Sequence, residues 1–93
     1  MGKKNLKKLI KVTQTDIENG IQNDPRYCPI AKAIQRTWSR DWTVSVWDTT
    51  VCIKRRRRRI SRVAKLSPAA RRFMMRFDDG EEVKPFETQL TFE

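Results

Sequence analysis

A chain of 93 residues with 38% hydrophobic and 34% charged residues predicts one small domain with a modest core. Its net charge of +10 favours anionic partners such as nucleic acid, a membrane surface or an acidic protein. A membrane span is excluded because no apolar run approaches the roughly 18 residues that a span needs. The first residues also lack the apolar segment and cleavage site of a signal peptide, so we expect a soluble intracellular protein with a mobile N-terminus at residues 1–5.

Few side chains suited to catalysis or metal binding are present. The chain has no histidine, three glycines and two cysteines, Cys28 and Cys52, which we expect to be reduced and buried. Cys28 follows Arg26 at a predicted helix start and is the one candidate for an activated thiol. The acidic residues at 78–82 are the one candidate for a metal site, although a solvated turn explains them more simply. We therefore predict no enzymatic activity, no metal, no cofactor and no small-molecule substrate.

The first elements are a strand and a short helix. Residues 6–12 alternate loosely between lysine and apolar residues, which predicts a strand with lysines on its open face. Thr15 and Glu18 have the spacing of a capping box, and Gly20 is a natural helix end. The pattern predicts one helical turn over residues 16–19.

A second helix is predicted after a turn at Pro25. Pro29 suits the first helical position, where its missing N–H costs nothing. The apolar face of this helix consists of Ile30, Ala33, Ile34 and Trp38.

A hairpin is predicted next. Residues 42–53 alternate with period two, so Trp42 and Val44 lie on one face and Trp47 on the other. Asp48 and Thr49 turn the chain, and a returning strand begins near Val51. Residues 60–66 alternate again, which predicts either one more short strand or a continuation of the hairpin's second arm.

The last two elements are a helix and a strand. Ser67 caps the helix, Pro68 occupies its first turn and Gly80 ends it. One face carries Ala70, Phe73, Met74 and Phe77, and the other carries Arg71, Arg72 and Arg76. Residues 86–92 alternate as a final strand. The order predicts an α+β domain, with a small and mainly antiparallel sheet of three to five strands and two to three helices packed on one face.

Two segments carry specific motifs, a Cys-Pro-Ile-Ala-x-Ala helix start and a later segment that combines Pro-x-Ala-Arg-Arg-Phe with Phe-Asp-x-Gly. Together they resemble a group of small proteins encoded by tailed phages and prophages. The matching positions are Cys28, Pro29, Ile30, Ala31 and Ala33, then Pro68, Ala70, Arg71, Arg72, Phe73, Phe77, Asp78, Gly80, Val83, Pro85 and Phe86. The resemblance implies a phage origin, a compact fold and a location in the host cytoplasm, and it implies no reaction.

Basic residues are segregated along the chain. Residues 54–76 contain eleven Lys and Arg and no acid, and residues 1–12 contain five lysines and no acid. Residues 77–93 contain six acids and one lysine. One side of the protein should therefore be strongly positive, and guanidinium groups there suit phosphate and bases. The predicted contacts are Lys54, Arg55, Arg56, Arg57, Arg58, Arg59, Arg62, Arg71, Arg72, Arg76, the early lysines and the exposed aromatic Trp47.

The run KRRRRR at residues 54–59 is the strongest of these signals. Five neighbouring arginines cannot share one exposed strand face, so we predict a protruding hairpin end or a loop in which all five reach solvent. An incidental solvated surface is the alternative, although six consecutive like charges repel one another.

Two partner classes follow from this pattern. The first hypothesis is a nucleic-acid-binding phage protein that contacts the backbone of DNA or RNA rather than its sequence. The second is a counter-defence inhibitor, similar in action to an anti-CRISPR, that uses the same arginines on a host immune protein or ribonucleoprotein complex. A nuclear import signal is a remote third interpretation of the run.

Overall fold

The predicted α+β class is confirmed. The computed structural model describes residues 6–38, 40–58 and 60–93. The predicted mobile N-terminus at residues 1–5, and Arg59 of the basic run, lie outside these ranges. The elements in chain order are β1 (Leu6–Val12), α1 (Gln14–Asn19), α2 (Pro29–Thr37), β2 (Trp42–Val46), β3 (Thr50–Arg55), β4 (Ser61–Lys65), α3 (Pro68–Asp78) and β5 (Phe86–Phe92). Across the described ranges, no helix is long and apolar enough to cross a membrane.

The five strands form two antiparallel sheets rather than the single small sheet predicted. In one sheet, β1 pairs with β5 so that Leu6 lies opposite Phe92. In the other, the order is β2-β3-β4, which makes residues 60–66 a separate strand. A backbone hydrogen bond of 2.9 Å from the Glu93 N–H to the Val63 carbonyl joins the two sheets where β4 meets β5.

The core lies between the inner faces of the sheets and the helices. Alternate residues of every strand face it, as the period-two patterns predict. Ile10, Ile53 and Leu90 from the strands and Ile34 from α2 are fully buried in one continuous cluster. The apolar face predicted for α3 is also buried there. The helices thus pack on one side of the sheets, and the outer strand faces are mostly polar, with Leu9 and Val63 as exposed apolar exceptions.

The helix α1 begins two residues earlier than predicted. Its capping box is Thr13 with Asp16, and the Thr15 and Glu18 pair is wrong. The Thr13 hydroxyl accepts from the Asp16 N–H at 3.2 Å, and the Asp16 carboxylate accepts from the Thr13 N–H at 2.9 Å. Both pairs have the same spacing, but only Asp16 also meets a distant cation, the Arg36 guanidinium at 2.7 Å.

The Asp16→Ala variant should therefore lower the free energy of unfolding by about 1–2 kcal/mol at neutral pH. Burial disfavours the Asp16 carboxylate, but hydrogen bonds from Arg36 and Thr13 outweigh it and hold its pKa below the ordinary value of 3.8. A lowered folded-state pKa stabilises the fold above pH 3.8, and this contribution is lost as the pH falls through the folded-state value. The difference between the free energies of unfolding of wild type and variant, measured in urea, should therefore shrink as the pH falls below 3.8.

The matched control for this variant is Glu18→Ala in the same helix. Glu18 is exposed, and its carboxylate accepts only a long hydrogen bond of 3.5 Å from Gln14. A loss in Glu18→Ala as large as that in Asp16→Ala would contradict the assignment of the cap.

Candidate nucleic-acid interface

The basic run forms the end of the β3–β4 hairpin, one of the two arrangements predicted. Lys54 and Arg55 are the last residues of β3, and the Arg55 N–H donates to the Ile60 carbonyl at 2.9 Å across the turn. The turn residues Arg56, Arg57 and Arg58 are all exposed. We call these three residues the tip.

Arg55 does not reach solvent fully, so the prediction that all five arginines do so is wrong for this residue. It is half-buried, with its guanidinium carbon 6.0 Å from the centre of the Trp42 ring. The ring centres of Trp42 and Trp38 lie 5.2 Å apart. Trp38 in turn packs edge-on against Phe92, with 5.6 Å between the two ring centres. The base of the hairpin is thus connected to the core through the partly buried rings of Trp42 and Trp38.

A second contact fixes the direction of the tip. The Arg56 N–H donates to the Asp41 carbonyl at 2.7 Å, which ties the start of the turn to the loop that precedes β2. The tip is therefore held against the loop between α2 and β2.

Two adjoining concave surfaces result from this arrangement. One, the tip hollow, has a volume of about 520 Å³ and is lined by residues 54–58, Ile60 and Ser61. The other, the edge cleft, has a volume of about 600 Å³ and lies between the two N-terminal helices and the edge strand β2. The cations of the edge cleft are Arg26, Lys32, Arg36, Arg40 and Arg56. Arg56 lines both surfaces, so the tip hollow and the edge cleft adjoin at this residue.

One cation of the edge cleft is used structurally. The Arg36 guanidinium donates to both carboxylate oxygens of Asp16, at 2.7 and 2.9 Å, and to the Lys11 carbonyl at 2.8 Å. The hydrogen bond to Asp16 raises the pKa of Arg36, which stays charged. This is the only ion pair in the described part of the chain. The other four cations of the cleft have no carboxylate partner, and Asp16 is the only acid in its lining.

Sequence reasoning missed Arg26, Lys32, Arg36 and Arg40 as site residues. They are spread over residues 26–40, and the acidic Asp41 directly follows Arg40, so no charge run marks them. Lys32 and Arg36 are four residues apart and share the face of α2 opposite its apolar face. The polar face of α2, with Arg26 before the helix and Arg40 after it, is the sequence pattern that could have indicated a basic surface here.

The remaining predicted contacts do not join the tip. The helix α3 carries three exposed arginines, Arg71, Arg72 and Arg76. Hydrogen bonds tie both ends of α3 to the end of the molecule that lies away from the tip, near the turn between β2 and β3. The Leu66 N–H, just before α3, donates to the Thr49 carbonyl, and Asp78 accepts from the Asn23 N–H. The strand β3 runs from Thr50 at that end to Arg55 beside the tip, so its length places the β2–β3 turn about 17–20 Å from the tip.

The other predicted contacts lie in β4 and in the turn between β2 and β3. Arg62 lies in β4 opposite Ile53, near the tip, and is half-buried. Trp47 is 57% exposed, as predicted, but it follows β2 at the end away from the tip. The hollow beside it includes three aspartates, Asp24, Asp48 and Asp78. Negative charge repels phosphate, so these surroundings do not suit a nucleic-acid contact.

Cys28 is not an activated thiol. It is buried at the start of α2, where its sulfur accepts a hydrogen bond from the Ala31 N–H at 3.4 Å. Burial raises the pKa of the thiol to about 11, and this outweighs the opposing effect of the helix N–H groups. The thiol is therefore protonated at neutral pH, and a nucleophilic function is not available to it.

Cys52 is only half-buried, so the prediction that both cysteines are buried is wrong for this residue. We therefore expect iodoacetamide at neutral pH to modify Cys52 in the native protein and to leave Cys28 unmodified. In denaturant both thiols should react, which serves as the control. Peptide mass mapping distinguishes the two sites, and modification of Cys28 at the rate of Cys52 in the native protein would contradict the burial.

The acidic residues that follow α3 form a chain turn. Gly80 has a φ of +81°, a conformation that favours glycine, and the Asp79 N–H closes the helix by donating to the Met75 carbonyl. Among the residues the structure describes, no three histidine, cysteine, aspartate or glutamate side chains are close enough to hold a metal ion.

The fold and these surfaces define a small α+β protein with a basic hairpin tip beside a basic cleft. No known protein family, curated protein or solved structure matches this chain. The resemblance to phage proteins therefore stays a prediction.

Proposed function

We propose that this protein binds nucleic acid through the phosphate backbone and catalyses no reaction. The observation that carries the proposal is the position of the basic tip directly beside the basic edge cleft, with Arg56 lining both the tip hollow and the cleft. Each of the two linings contains five cationic side chains, and Asp16 is the only acid in either. Such a concentration of positive charge attracts phosphate groups and other anions.

The chemistry of the cations also supports a phosphate partner. Arginine presents a planar fork that binds phosphate oxygens through two hydrogen bonds, and it stacks on bases. Because Arg55 packs near the Trp42 ring at the base of the hairpin and the Arg56 N–H is bonded to the Asp41 carbonyl, the backbone at the start of the tip requires little ordering before it binds. Contacts of this kind position a protein on a backbone and do not read its sequence.

Salt-dependent binding of fluorescently labelled DNA and RNA tests the proposal. We count six cations without a carboxylate partner as phosphate contacts: Arg26, Lys32, Arg40, Arg56, Arg57 and Arg58. The slope of log K against log salt should then be roughly −4 for single strands and roughly −5 for duplex. Absence of binding at low salt, or binding that is insensitive to salt, would refute a backbone-binding function.

A pull-down from bacterial lysate, with and without nuclease, separates the partner classes. Loss of captured material after nuclease treatment supports a nucleic-acid partner. A nuclease-resistant complex with one host protein, together with no affinity for bare nucleic acid, would instead support a counter-defence inhibitor. The same arginines would then meet carboxylates on the host protein.

A further inference from the structure

We infer that the edge cleft binds single-stranded nucleic acid, which runs from the tip along the edge strand β2 and stacks one base on Tyr27. The inference rests on the proposed function and names its substrate class. Its basis is the shape of the cleft, the path of its cations and an exposed aromatic ring at its far end.

The shape of the edge cleft suits a single strand. Its volume of about 600 Å³ lies within the range of small-ligand pockets, roughly 300–1,000 Å³. A nucleotide fits such a space, whereas a duplex keeps its bases stacked inside the double helix and cannot place one in the cleft. A duplex would contact exposed cations of the tip and the cleft but could not stack a base on Tyr27.

The cations follow one direction through the cleft. Arg56 lies at the tip end, next to the loop that carries Arg40. Thr43 and Val44 of β2 line the middle. The far end lies at Arg26, since the preceding Pro25 carbonyl accepts from the Val46 N–H at the other end of β2. A positive groove of this kind follows the backbone of an extended strand.

Tyr27 provides an aromatic surface at the far end. It is 50% exposed although it lies beside the buried start of α2. Its backbone is fixed, because its N–H donates to Asp24 at 3.1 Å and its carbonyl accepts from the Ile21 N–H at 2.9 Å. The Lys32 ammonium lies 5.9 Å from the centre of the ring. An exposed ring with a cation beside it binds a base and its phosphate together.

The test compares single strands of about 10 nucleotides, within the usual site size, with a duplex of the same sequence by fluorescence anisotropy. DNA and RNA versions are both measured, because the two backbones share the chemistry that the cleft recognises. We expect single strands to bind at least tenfold more tightly than the duplex.

Three variants test the cleft itself. Tyr27→Leu should weaken single-strand binding about tenfold, and Arg26→Gln with Arg40→Gln should reduce the salt slope by about 1.4. Asp16→Asn, which removes the only carboxylate of the cleft and keeps an acceptor for the cap, should tighten binding severalfold. The matched control for Tyr27 is Trp47→Leu, because Trp47 is similarly exposed but lies outside the edge cleft, in a hollow that three aspartates line. Its binding should equal that of the wild type.

The outcomes distinguish this inference from the function on which it rests. Binding of neither strand form would refute the proposed function and this inference together. Equal affinity for duplex and single strand, with wild-type binding by the Tyr27 and Arg26/Arg40 variants, would overturn the inference alone and leave backbone binding by the tip in place. The Arg26, Tyr27 and Arg40 side chains are exposed, so these variants should keep the wild-type melting temperature.

Discussion

Replacing the three tip arginines, Arg56→Gln, Arg57→Gln and Arg58→Gln together, is expected to weaken nucleic-acid binding about 100-fold at ~0.1 M salt. Three lost phosphate contacts on a single strand should reduce the slope of log K against log salt by about 2. The side chains are exposed and lie in a turn, so the melting temperature should stay within a few degrees of the wild type. Fluorescence anisotropy at several salt concentrations measures both the affinity and the slope.

The choice of these three residues follows from the structure. Arg55 is left intact because it packs on Trp42, and its replacement would change the base of the hairpin as well as the charge. The backbone hydrogen bond from Arg56 to Asp41 survives replacement of the Arg56 side chain.

The matched control removes the same charge elsewhere, with Arg71→Gln, Arg72→Gln and Arg76→Gln on α3. These exposed arginines lie beyond the screening distance of ~8–10 Å from the tip, so they should affect the affinity only slightly. An equal loss in both triple variants would mean that net charge, rather than the tip, determines binding.

The Phe92→Ala variant should have the largest effect on stability. Phe92 is fully buried in β5, and its ring centre lies 5.6 Å from that of Trp38. Truncation of a buried phenylalanine costs about 3–5 kcal/mol, which is a large share of the roughly 5–15 kcal/mol that stabilises a small domain. We expect the melting temperature to fall by roughly 15–30 °C in calorimetry.

The control for Phe92→Ala is Leu9→Ala in the neighbouring strand. Leu9 belongs to the same two-stranded sheet, but it lies on the outer face and is 54% exposed. Its replacement should change the free energy of unfolding by less than about 0.5 kcal/mol. If Phe92→Ala also melted close to the wild type, the packing of the two-stranded sheet on the core would have to be revised.

Most of the local structure was predictable because it depends on neighbouring residues. Proline at the first helical position and a cap before it predicted the starts of α2 and α3, and both occur where expected. Period-two alternation predicted β1, β2, β3 and β5, and it left open whether β4 is a strand of its own. These rules are local, since they depend on backbone geometry within a few residues.

The start of α1 was not predictable from neighbouring residues alone, because two pairs of residues have the spacing of a capping box. Thr13 and Thr15 both stand three residues before an acid, and the Arg36 guanidinium selects the earlier pair by bonding Asp16. The residue that decides is twenty positions away, so no local pattern contains it.

The sequence by itself determined the α+β class, the buried faces and the position of the basic run between two strands. Only the tertiary structure decided which cations share a surface: it joins Arg56 to Arg26, Lys32 and Arg40 and separates the tip from the arginines of α3. The physical reason is that charge runs record neighbours along the chain, whereas a binding surface depends on which segments the core brings together. In this fold, the pairing of β2 with β3 and the packing of α2 on β2 create the edge cleft.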